Sequence, residues 1–227
     1  MQAVLSQITF YEAFFKVHHT KGFRLTYPMP LPTSVAGIFG AMLGTDRTKM
    51  RGEFCDMLFG SGLLKYDGLV IENETFIQYK KTQIRKGVFS DAIQGVVHTQ
   101  LVNHPTYIIA MAGPPDKIAK YHAFLADHKV VYLPYGGQND FFIENFEIKD
   151  VTNVLQSDIV SNYAPQDMVS KLESSETVLS ILPVMHTYSD NPNFYFVLKG
   201  QLRLKRPVNV AGDSQIALYP LEKFKIV

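Results

Sequence analysis

Three prolines at alternate positions, Pro28, Pro30 and Pro32, stand directly before a short apolar segment in the stretch TYPMPLPTSVAGIFGAMLG. Each proline disfavours helix for the residue before it, so Tyr27, Met29 and Leu31 are held extended and the lead-in is stiff. A helix can begin only where that constraint ends. The pattern predicts one opening at Pro32, Thr33 and Ser34 and running to about Leu43, with Thr33 or Ser34 as N-cap and Gly44 as the stop. Gly37 and Gly40 inside it each cost about 1 kcal/mol relative to alanine, so close backbone approach of something must offset about 2 kcal/mol. Gly37, Gly40, Ala41 and Gly44 share a face, against which either a sheet or a ligand can lie; tight helix-on-sheet packing is the expectation. The helix tip offers unpaired N–H groups and partial positive charge, with the hydroxyls of Thr33 and Ser34 beside it and Lys21 and Arg24 upstream, a natural phosphate site.

Around this helix the elements follow in a recognisable order. Residues 4–17 read as a long first strand, 47–59 as a second helical piece ending in a loop at 60–62, and 69–89 as extended chain. PTYIIAMAG (105–113) reads as a buried strand. The segment 114–128 reads as a helix with Ile118, Tyr121, Phe124 and Leu125 at helical spacing, and KVVYL (129–133) as the strand after it. The order β, α, β, β, α, β predicts an α+β fold with a ferredoxin-like or RRM-like core over 1–150. Residues 151–227 read as a β-rich appendage, polar and partly helical to 180. It is expected to end in a hairpin turning at Lys199 and Gly200, with Leu202 and Leu204 on one face and Arg203 and Lys205 on the other.

Composition excludes more than it proposes. The chain of 227 residues has no run of eighteen apolar residues and no basic segment ahead of an apolar one at its start, so the expectation is a cytoplasmic protein with no membrane span. The single cysteine, Cys55, excludes an internal disulfide and reads as a buried, inert thiol. No phosphate-loop, dinucleotide, hydrolase-elbow, zincin or EF-hand motif is present, and the adjacent His18 and His19 point to opposite faces of an extended chain, so neither metal nor cofactor is expected. A net charge of +1 conceals segregation: windows 13–45, 75–90 and 191–212 contain no acid, while carboxylates gather in 46–74 and 140–176. Such partition suits a polyanion on one side and protein neighbours on the other. Lys120, Tyr121 and His122 are types that cleave RNA without metal, but successive helix residues diverge by about 100°, so surface positions without catalysis are the expectation. A second glycine site, YLPYGGQNDFF, gives Tyr135 for stacking, Gly136 and Gly137 for positive φ and exposed amides, and Gln138 and Asn139 for polar edges; a plain loop explains them equally well.

HTKGFRLTYPMPLPTSVAGIFGAMLG, followed about ninety residues later by VVYLPYGGQNDF, resembles the CRISPR-associated Cas-five family of the RAMP superfamily. The match covers the N-terminal two thirds, with the FR pair, the proline-rich approach, the P-T-S helix opening and the YxxYxG turn in order. The resemblance implies a subunit of a type I Cascade complex that grips the 5′ handle of the CRISPR RNA, caps the backbone and touches the large subunit, meeting target DNA only indirectly. It implies a thumb hairpin within about 82–104 and RNA contacts at Lys21, Arg24, Thr33, Ser34 and at Tyr135, Gly136, Gly137, Gln138 and Asn139. Lys80, Lys81, Arg85 and Lys86 join these candidates through the acid-free window at the thumb. The type I-C branch, which cleaves RNA, has a tyrosine at the end of the first helix and a lysine-histidine couple on the second. Leu43 stands in the first place and Lys120-Tyr121-His122 in the second, so the resemblance favours a non-cleaving I-B or I-A member. The alternatives are a metal-independent repeat endoribonuclease using Lys120 and His122, or an RRM-like interaction module unrelated to CRISPR.

Overall fold

A computed structural model describes residues 1–18, 22–78, 93–127, 129–138, 140–184 and 193–224. In chain order the N-terminal elements are β1 (Gln2–Phe10), the two-residue strands β2 (Glu12–Ala13), β3 (Phe15–Lys16), β4 (Phe23–Arg24) and β5 (Thr26–Tyr27), α1 (Pro32–Leu43), α2 (Met50–Glu53), β6 (Leu58–Lys65), β7 (Leu69–Gln78), β8 (Ile93–Asn103), β9 (Thr106–Gly113) and α3 (Pro115–Ala126). The C-terminal half adds β10 (Ile143–Ile148), β11 (Thr152–Val160), β12 (Tyr163–Pro165), β13 (Val169–Leu172), β14 (Val178–Pro183), β15 (Asn193–Lys199), β16 (Leu202–Ala211) and β17 (Tyr219–Pro220).

The fold is α+β and mostly antiparallel sheet. The main sheet runs β13-β16-β11-β1-β9-β6-β17, with β10 also paired to β1. β1 alternates its side chains between two cores: Val4, Ile8 and Phe10 join the helix-covered one, while Ala3 and Leu5 join a smaller one closed by Ile216 and Leu218. α1 packs over β6 and β9, and α3 over β1, β9 and β10.

The smaller core explains a misreading. Residues 60–62 form no loop but the buried middle of β6, and the helix before them is only the four residues of α2. At Gly60 a Cβ would stand 2.2 Å from the carbonyl oxygen of Ala217, so glycine is what lets the 216–218 segment cross the sheet. That segment is held by Asn162, fully buried: its Nδ2 donates to Ala217 O at 3.1 Å and its Oδ1 accepts from Ala217 N at 3.0 Å.

Other expectations are corrected. The first strand stops at Phe10 and continues only as two-residue pieces. Residues 129–133 are not a strand; the strand after α3 is β10, on the free side of β1. The stretch to 180 contains strands and one 3-10 turn (Gln166–Met168) where partial helix was expected. β15 and β16 follow one another across Gly200 yet form no hairpin: β15 pairs with β12 and β14, and β16 with β11 and β13. Leu202 and Leu204 are buried and Lys205 exposed, as the alternation predicts, with Arg203 partly buried between Asp158 and Glu173. Cys55 is exposed. β7 and β8 form a hairpin, paired from Leu69↔Val102 to Gln78↔Ile93, whose second arm falls within the 82–104 expected for an insertion; residues 79–92 between the arms lie outside the described part.

Candidate nucleic-acid interface

The proline lead-in is fixed from two sides before α1 begins. Ser61 of β6 donates its hydroxyl to Pro30 O at 2.5 Å, and the Tyr27 hydroxyl donates to Pro183 O at 2.7 Å. Burial holds the Tyr27 phenol far above its ordinary pKa, so it remains a donor. The helix then opens with Leu31 as N-cap (φ −72°, ψ 164°), not Thr33 or Ser34, and with no side-chain cap. Pro32 has no N–H and Val35 N bonds to Leu31 O at 2.9 Å. The amides of Thr33 and Ser34 are thus the first-turn donors without a partner among the described residues, and no acid stands in that turn. Gly44 ends the helix in the left-handed conformation (φ 72°), with Gly44 N bonding to Ala41 O at 3.1 Å and Thr45 N to Gly40 O at 2.8 Å.

The last turn of α1 also positions the second motif. Val131 N bonds to Met42 O at 2.9 Å and Tyr132 N to Ala41 O at 3.1 Å, so the 129–133 segment is spent on helix carbonyls instead of a sheet ladder. Gly136 N bonds to Phe141 O at 2.8 Å and Gly136 O accepts from Phe14 N at 2.7 Å; its amide is therefore occupied, not exposed. Gly137 does take positive φ (101°), and a Cβ there would stand 1.9 Å from Phe14 O. The glycine pair is a close-packing device that presses the turn onto residues 12–15 and aims the neighbouring side chains.

The two motifs face one cleft of about 940 Å³, with Thr33, Ser34 and Gly37 on one side and Tyr132, Tyr135 and Gln138 on the other. Lys16, Arg47 and Arg51 also line it, and no aspartate or glutamate does. None of these three cations has an ion pair among the described residues. The arrangement supplies free amides, hydroxyls, exposed aromatic faces and unpaired positive charge, the groups that hold phosphates and unpaired bases.

Not every predicted residue is brought here. Arg24 lies on β4 beside the hairpin, with Nη1 3.6 Å from Glu74 Oε2, and does not line the cleft. Lys120 and His122 are on α3 and do not line the cleft; they flank Tyr121, whose part-buried hydroxyl donates to Glu53 Oε1. Burial first, then the Glu53 carboxylate, raise the Tyr121 pKa and keep it protonated. Lys21, Lys80, Lys81, Arg85, Lys86 and Asn139 lie outside the described residues. Among those described, no cluster of His, Cys, Asp and Glu has metal-holding geometry, and no helix is long and apolar enough to cross a membrane. Sequence reasoning missed Arg47 and Arg51 because they sit inside the acid-rich window 46–74, and Tyr132 because it was counted in a strand; Lys16 lay within an acid-free window but was not singled out.

No protein-family model matches the sequence, and no curated protein does. Among solved structures, the chain is similar to a CRISPR protein from Archaeoglobus fulgidus, with a TM-score of 0.52 at 11% identity over 97% of this chain and 100% of that one. It is also similar to a chain of a CRISPR RNA-guided surveillance complex (TM-score 0.49, 16% identity, 92% and 90% covered) and to one of a type III-B Cmr-beta bound to cognate target RNA (0.46, 9%, 89% and 86%). The first likeness takes in nearly all of this chain and the whole of the other, and the fold is shared with that CRISPR protein.

Proposed function

We propose that this chain is an RNA-binding, non-cleaving subunit of a CRISPR effector complex, of the Cas-five kind and of a type I-B or I-A system, working in the cytoplasm. In this reading β1, α1, β6, β9, α3 and β10 form a ferredoxin-like, RRM-like core whose four strands lie in the order β6-β9-β1-β10, and the β7–β8 hairpin inserted between β6 and β9 is the thumb. The observation that carries the proposal is the cleft. Two motifs about a hundred residues apart converge on one acid-free surface with unpaired cations, uncapped helix amides and exposed tyrosines. The separation of Lys120 and His122 from that surface favours binding without cleavage.

The test is binding of repeat-derived CRISPR RNA by the full chain, followed by fluorescence anisotropy across a salt series. Affinity is expected to fall as salt rises, and Arg47→Ala with Arg51→Ala to weaken it and flatten the log–log slope by about 1.4, on a basis of roughly 0.7 per phosphate contact for single strands. Wild-type affinity and slope in the double variant would remove the cleft from the interface. Arg24→Ala, with its guanidinium turned to Glu74, is expected to do less than either cleft arginine.

A further inference from the structure

The two interior glycines of α1 differ in what surrounds them. At Gly40 an added Cβ meets Met50 Sδ at 3.4 Å, ordinary packing distance, whereas at Gly37 it meets no heavy atom of the described residues within 4 Å. Gly37 therefore does not serve close packing against the sheet, contrary to the expectation from sequence. The space over it is a recess of about 220 Å³ that opens off the cleft, with Ile38 and Pro134 as its own walls and Phe15, Ser34, Ala41 and Tyr135 shared with the larger space. Apart from Ser34 its lining side chains are apolar or aromatic, and the charged side chains of the adjoining cleft, Lys16, Arg47 and Arg51, are all cationic. Tyr135 is 45% exposed and its ring has no aromatic neighbour among the described residues. An exposed aromatic face in an apolar recess, the Ser34 hydroxyl within it and cations in the adjoining cleft match the planar ring of a base, its polar edge and a phosphate.

We propose that this recess takes the base of one unpaired nucleotide, stacked on Tyr135 over the bare backbone of Gly37, with its phosphate turned toward Arg47 and Arg51. The absence of a side chain at 37 is then what admits the base, and residue 37 determines whether a base can enter. The proposal rests on the RNA-binding reading above and deepens it, and the experiment separates the two.

Gly37→Leu is the decisive variant, because leucine favours helix more than glycine does, its Cβ meets no described atom within 4 Å, and its side chain would project into the recess. Binding of a fluorescently labelled single-stranded RNA octamer is measured for the full chain, Gly37→Leu and Tyr135→Ala, each with its thermal midpoint. Gly37→Leu is expected to melt no lower than the parent chain and to bind at least tenfold more weakly. Tyr135→Ala, which removes an exposed side chain, is expected to show a comparable loss and guards against a leucine variant that fails to fold. Undiminished binding by folded Gly37→Leu, or by Tyr135→Ala, overturns the recess and leaves the RNA-binding reading standing. No octamer binding by the parent chain at low salt overturns both. Displacement of the octamer by any of the four free nucleoside monophosphates at equal concentration overturns a strand as the source of the nucleotide.

Discussion

His104 joins β8 to β9 in the left-handed region (φ 43°), a costly conformation for a residue with a side chain, and its ring accounts for the choice. Nε2 lies 2.6 Å from Glu144 Oε2 on β10, and Nδ1 3.3 Å from Asp67 Oδ2 at the other foot of the hairpin. The hydrogen bond that the imidazole donates to Glu144 raises its pKa above 6.5, with Asp67 adding to the effect. A raised value means that the folded chain binds the proton more tightly than the unfolded one. The resulting stability is fully present below about 6.5 and is lost as pH rises through the higher folded value. His104→Asn keeps a residue tolerant of that backbone and removes the titration. Thermal melts are expected to show the parent chain's advantage over His104→Asn shrinking as pH rises from 6 to 9; a gap that stays constant would exclude the clamp.

At the scale of elements, α1 and α3 were legible, whereas the expected helix over 47–59 and several strands were not. Pro32 and Gly44 bracket α1, and Pro115 starts α3 with Ile118, Tyr121 and Leu125 buried, because helix ends and faces are set by nearby residues. Strand pairing depends on distant ones. Lys199-Gly200 looks like a hairpin turn, but the strands on either side were claimed by different partners. VVYL looks like a strand, but its amides satisfy the end of α1. The cleft was half legible for the same reason: its motifs are local, whereas Arg47 and Arg51 join it only through the fold. Nothing in the sequence marked Asn162 as the pin of the 216–218 segment. Asn162→Ala would leave the buried N–H and C=O of Ala217 without their side-chain partners, at about 1–3 kcal/mol for each unsatisfied group. Urea denaturation is expected to show a loss of that order, and a loss under 0.5 kcal/mol would mean that the segment is held by packing alone.

For the whole molecule, the β7–β8 hairpin carries exposed apolar surface. Ile71, Ile77 and Val96 fall on one face by register, each more than half exposed, and among the described residues β7 pairs only with β8. A long edge strand with apolar side chains is prone to pairing with another chain. The isolated protein is expected to associate as concentration rises, and Ile71→Lys with Ile77→Lys to restore a monomer in light scattering without lowering the thermal midpoint. Equal association by the double variant would place the contact elsewhere.

The register of β1 has a consequence for how such a chain is made. Its nearest partner in sequence is β9, with Thr9 and Thr106 facing each other 97 residues apart, and its other neighbours, β10 and β11, come later still. At synthesis rates of about 5–20 residues per second, β1 waits roughly 5–20 s before any strand of the main sheet can bond to it. A nascent chain halted before Thr106 therefore carries an apolar strand with no mate, a natural client for a ribosome-bound chaperone.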